Sequence, residues 1–147
     1  MSKSKIKKGN FDPKRSIKHL NCICIQHPLE KPYELDLVLA DNDIYLLNPS
    51  HELVESIAGS SIKKIYCEDL LKLKRWISST KTGLFGVLEY LISKTKKIKS
   101  SFLILEYESE NDVNTIIFEY EGSNANKKAE SDRNKLLANL TVPFAFE

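Results

Sequence analysis

Residues 102–120 read FLILEYESENDVNTIIFEY, and this stretch decides the fold class. Phe102 to Glu108 and Thr115 to Tyr120 are rich in aromatic and β-branched residues, which suit a pleated, half-buried surface. Glu110-Asn111-Asp112 between them supplies Asn and Asp, which tolerate turn backbone, so the reading is a β-hairpin.

The same alternation recurs upstream. Leu35, Leu37 and Leu39 alternate with Asp36, Val38 and Ala40, and Asp41-Asn42 then provides a tight turn into Ile44-Tyr45-Leu46-Leu47, a second hairpin. Asn48-Pro49-Ser50 breaks that strand. Two short strands follow, around Leu53 to Ile57 and Ser61 to Cys67, separated by Ala58-Gly59. A first β-prone run, Ile17 to Ile25, is expected to stop at Gln26-His27-Pro28, because proline cannot donate to a ladder.

Two segments read as helical. Glu68-Asp69 precede Leu70, Leu71, Leu73, Trp76 and Ile77, and acids in a first turn followed by three-to-four spacing predict a basic helix. After the polar link Ser78 to Gly83, the apolar segment Leu84 to Ile92 predicts a second helix, giving a helical insertion near 68–99. Near 124–140, Ala129, Arg133, Leu136, Leu137 and Leu140 share one helical face, which predicts a closing helix capped by Gly122-Ser123-Asn124 and stopped at Thr141-Val142-Pro143.

Length and charge bound the rest. At 147 residues with 41% hydrophobic and 29% charged residues, one globular domain is expected, spanning 17–147 behind a flexible basic arm at 1–16. The start of the chain has no apolar signal stretch and no run is long enough to span a bilayer, so a cytoplasmic protein is expected. Cys22, Cys24 and Cys67, an odd set, are expected to be reduced thiols. The net charge of +2 hides segregation: residues 1–18 hold seven Lys/Arg against one acid, and 63–99 hold ten against three. Residues 19–62 hold one against seven, and 101–147 four against nine.

The order of elements resembles the pleckstrin-homology-like superfold, particularly bacterial PH-like and GRAM-like members. Asp43-Ile44-Tyr45-Leu46-Leu47, Ser60 to Ile65, and the paired runs Phe102 to Glu106 and Ile116 to Glu119 carry the resemblance, with Gly83-Leu84-Phe85-Gly86-Val87-Leu88 before the last hairpin. It implies an α+β open barrel of about seven antiparallel strands, with a helical insertion and a closing helix. The basic cluster that inositide-binding members place between their first strands is reduced here to Lys31, and the closing helix carries leucines in place of tryptophan. The resemblance therefore implies a fold and not a ligand.

No nucleophile elbow, phosphate loop or dinucleotide fingerprint is present, and His51-Glu52 alone makes no acid–base site, so no enzyme and no cofactor are expected. His19-x-x-Cys22-x-Cys24-x-x-His27 has suitable zinc ligand types, but an unbroken strand would send the cysteines to one face and the histidines to the other, so no metal is expected. The expected function is a binding module whose partner is a protein segment or a second copy, received at an exposed strand edge. The second reading is contact with an anionic membrane surface through Lys72, Lys74, Arg75, Trp76, Phe85, Lys94, Lys96, Lys97 and Lys99. Nucleic acid ranks below both, since the sequence pI near 8.3 falls short of a typical basic footprint.

Overall fold

The structure, a computed structural model, describes residues 16–25, 27–79, 85–93 and 99–140. Seven strands run β1 (Ser16–Ile25), β2 (His27–Ala40), β3 (Asp43–Leu47), β4 (Leu53–Ala58), β5 (Ile62–Asp69), β6 (Ser100–Ser109) and β7 (Asp112–Glu121). Among the described residues three α-helices are α1 (Leu70–Ser79), α2 (Phe85–Ser93) and α3 (Ala125–Asn139). All described strand pairs are antiparallel, in the order β4-β3-β2-β1-β7-β6-β5, and the sheet is not closed.

Both predicted hairpins form on two-residue turns. Asp41 and Asn42 have φ of 51° and 64°, and Glu110 and Asn111 have 52° and 70°. Two consecutive left-handed residues match the right-handed twist of the flanking strands, which sets the register. That register then runs without a break from Ser109↔Asp112 to Ser100↔Glu121, so β7 begins three residues before the predicted Thr115.

The connection between β4 and β5 fixes the curvature. These strands are consecutive in sequence yet lie at opposite edges of the sheet. In a flat sheet six strand spacings would separate them by about 29 Å. The link is one 3₁₀ turn, Gly59–Ser61, and four residue steps reach at most about 14 Å. The sheet must therefore curl until its edges approach each other at this turn. Gly59 N–H donates to the Asn42 carbonyl at 2.9 Å, locking the turn to the β2–β3 hairpin.

Curling creates two cores. The inner face draws buried residues from all seven strands, including Leu37, Ile44, Ile57, Ile65, Leu105 and Phe118. It is covered by α3 through Ala125, Ala129 and Leu136, and by Leu140 just after the helix. The outer face of β1, β6 and β7 offers Ile23, Phe102, Ile104 and Ile117 to Leu73 and Ile77 of α1 and to Val87 and Leu91 of α2.

Several expectations need correction. β1 ends at Ile25 as expected, but His27 and Pro28 open β2, with Ile25 opposite His27 and Cys24 opposite Pro28, because proline at the start of a strand forfeits little pairing. Glu68 and Asp69 belong to β5, and Asp69 Oδ1 accepts the Lys72 N–H at 2.8 Å, capping α1 from outside. Asn124 occupies the cap position of α3 but makes no side-chain cap bond; the Gly122 and Asn124 carbonyls bond the Ala125 and Lys128 N–H groups. β1 is also not an unbroken strand, since its register shifts between Cys22 and Cys24. Residues 1–15 of the basic arm and Thr141-Val142-Pro143 lie outside the described residues.

Candidate functional site

The two edges of the open sheet differ in how they are defended. An edge strand exposes a row of unpaired backbone groups, and proteins blunt such rows with charged side chains or cover. β5 is blunted three times. Lys63 pairs with Glu108 at 2.8 Å, and Lys64 lies 4.4 Å from the Tyr66 ring centroid. Arg133, projecting from α3, donates Nε–H to the Ile65 carbonyl at 3.1 Å.

β4 carries lighter devices: a register shift between Leu46 and Leu47, its short length and the inward Glu55. Its sequence, Leu53-Val54-Glu55-Ser56-Ile57-Ala58, contains no lysine, arginine or proline, and among the described strands it pairs only with β3. Ile57 is buried in the inner core, whereas Ser56 and Ala58 are small and exposed. The Ser56 N–H donates to the neighbouring Glu55 Oε1 at 3.2 Å. Glu55 Oε2 in turn accepts the Tyr107 hydroxyl of β6 at 3.2 Å, tying this edge to the far half of the sheet.

The ground around β4 is acidic. From Glu34 to Ile62 the sequence has six carboxylates and no lysine or arginine; Glu34 lines a groove with Lys127 and Lys128 of α3 and Asp36 is buried, which leaves Asp41, Asp43, Glu52 and Glu55 for this edge. Asp43 sits directly across from Ala58 in the β3–β4 register, and Tyr45 across from Ser56. The Tyr45 hydroxyl donates to Asp43 Oδ2 at 3.5 Å. Its pKa is raised, first by burial and then by the Asp43 and Asp41 carboxylates, which marks the negative field at this corner.

The basic segment named from the sequence is split by the fold. Lys72, Arg75 and Lys99 are exposed and Lys74 is half-buried. Trp76 is half-buried against the outer core and does not project freely. Phe85 opens α2, while Lys94, Lys96 and Lys97 lie outside the described residues. Within the apolar segment, Val87 and Leu91 are core, and Ile92 is 62% exposed. Lys74 and Lys99 meet at a groove of about 530 Å³ with Leu70, Leu71, Ser100 and Asn126, near the start of α3.

Of the remaining chemical candidates, the side chains of His19, Cys24 and His27 lie outside the described residues. Among the described residues no three His, Cys, Asp or Glu side chains are grouped to hold a metal ion. Cys22 is a buried cysteine of the inner core. His51 is exposed with φ 62° in the β3–β4 loop, where Asn48 Oδ1 accepts the Ser50 and Glu52 N–H groups at 3.0 and 2.9 Å. The Glu52 carboxylate accepts the Asn48 amide at 3.2 Å, so this loop is held by its own polar groups.

No helix among the described residues is long and apolar enough to cross a membrane. No protein-family model matches the chain, and no curated protein sequence matches it significantly.

Proposed function

We propose that the chain is a noncatalytic interaction module of the PH-like kind, which receives an extended protein segment as an added strand along β4. The PH-like part of the reading is supported by the run of sequential antiparallel neighbours, with β1 joining the two halves, and by a C-terminal helix laid across one face. The binding part is carried by one observation: β5 is guarded by Lys63, Lys64 and Arg133, while among the described residues no lysine or arginine guards β4. Strand addition draws affinity from main-chain hydrogen bonds and therefore needs an edge left open to pairing.

Placing lysines on the edge tests this reading, because charge is how edges are normally closed. Ser56→Lys with Ala58→Lys alters two exposed positions and should change stability by no more than about 1 kcal/mol. The folded double variant should lose binding of extended peptides that the parent chain retains. Equal binding by both would place the site elsewhere.

A second reading, contact with an anionic membrane surface, is favoured by Leu71, 59% exposed beside the Lys74–Lys99 groove. Co-sedimentation with anionic but not neutral vesicles, weakened by salt and abolished by Leu71→Glu, would support it. Absence of co-sedimentation at low salt would remove it.

A further inference from the structure

The β4 edge carries a chemical preference as well as an opening. A strand added there would place alternate side chains on the outer face, beside Ser56 and Ala58. Both are small, so neither fills the surface between the new strand and β3. The next group inward from Ala58 is Asp43, and the turn that follows β2 adds the exposed carboxylate of Asp41. Asp43 accepts the long bond from the Tyr45 hydroxyl, and among the described residues no cation pairs with it.

We infer that the segment received at β4 is basic: an extended partner peptide whose outward side chains are lysine or arginine, at least one of which lies over Ala58 and reaches Asp43 and Asp41. The inference rests on the edge-pairing reading and specifies its ligand. Charge complementarity selects this occupant over a second copy of the chain, because two β4 edges paired with each other would bring two acidic corners together. An acidic or neutral segment would make the same backbone bonds and leave Asp43 and Asp41 facing like charge or none. A long basic side chain has room to cross Ala58, and its aliphatic stem would cover the alanine methyl.

Three blocked eight-residue peptides separate the possibilities when titrated by fluorescence anisotropy against the full chain at low salt. One alternates valine with lysine, one valine with glutamate, and one carries lysine and glutamate in turn between valines. The lysine peptide should bind roughly tenfold tighter than the neutral one, the worth of two exposed ion pairs, and salt should erase the difference. Asp41→Asn with Asp43→Asn should lower that preference to near unity. Equal or reversed preference among peptides that all bind would overturn the basic ligand and leave edge pairing standing. Failure of every peptide to bind would overturn both. A concentration-dependent mass of the chain alone, abolished by Ser56→Lys with Ala58→Lys, would assign the edge to a second copy and also overturn the inference.

Discussion

The Tyr107 hydroxyl donates to Glu55 Oε2 at 3.2 Å across the mouth of the curled sheet, joining strands β6 and β4 that share no backbone ladder. Tyr107 is 2% exposed and lies opposite Ile62 in the β5–β6 register, so the bond sits beside the turn that brings the two edges together. It holds β4 at a fixed distance from the rest of the barrel, and the candidate edge is thereby a positioned strand.

Tyr107→Phe should remove this tie with little change in packing. The expected loss is about 1 kcal/mol, the net worth of one hydrogen bond, read as a lower urea midpoint with an unchanged slope. A variant as stable as the parent would show that the curl is held by the β4–β5 turn alone.

Gly59 should tolerate no side chain. A Cβ there would stand 2.4 Å from the Asn42 carbonyl oxygen, the atom that accepts the Gly59 N–H. Gly59→Ala is expected to cost about 1–3 kcal/mol through backbone displacement, measured by thermal or urea denaturation. Gly122, with φ 108° and open space around it, should lose less on the same substitution, from backbone strain alone.

Cys67 should be a slow thiol. Burial first, and then the Glu130 carboxylate, push its pKa up from 9.0 to about 11 against the opposing pull of Arg133. At pH 8 the thiolate is then much scarcer than for an ordinary cysteine, so alkylation mapped by mass spectrometry should be at least about tenfold slower than for a free thiol. Alkylation at the free-thiol rate would contradict the packing of α3 on β5.

This hold on the Cys67 proton also makes stability depend on pH. The folded chain keeps the proton more tightly than the unfolded chain, so the unfolded state binds fewer protons between pH 9 and 11. The contribution to stability is then fully present below pH 9 and is lost as pH rises through about 11. Tyr120 adds to the decline at still higher pH, being raised by burial and by its 2.6 Å bond to Asp132 Oδ2. Melting temperatures should be lower at about pH 10.5 than at about pH 8; a flat profile over this window would contradict the burial of these groups.

Local chemistry made much of the fold legible. The alternating leucines of β2, the Asp41-Asn42 turn and the β6–β7 hairpin each announce themselves within a few residues, because period-two burial and left-handed turn backbone are local demands. The pairing of β1 with β7 has no such signal. It joins Asn21 to Glu119, nearly a hundred residues apart, and is decided by curling and core formation. Asp69 was legible as a helix-start residue, but its place outside the helix depends on where the β5–β6 ladder ends.

The candidate site was legible only as composition. The acidic block 19–62 was plain, yet nothing in Leu53 to Ala58 says that this strand lies at an edge, since periodicity carries burial and not strand order. The basic block around Lys72 to Lys99 is conspicuous because its charges cluster in sequence. In the fold its apolar members Leu73, Ile77, Val87 and Leu91 turn inward onto Phe102 and Ile104, and among the described residues Leu71 and Ile92 are left as large exposed apolar groups on that side.

The most direct measurement is amide hydrogen exchange, followed by NMR on the full chain with and without the valine–lysine peptide. Strand addition at the open edge predicts slowed exchange concentrated at Leu53–Ala58, with Ile62–Asp69 unchanged. Slowing at β5 or α1 with β4 unaltered would contradict it.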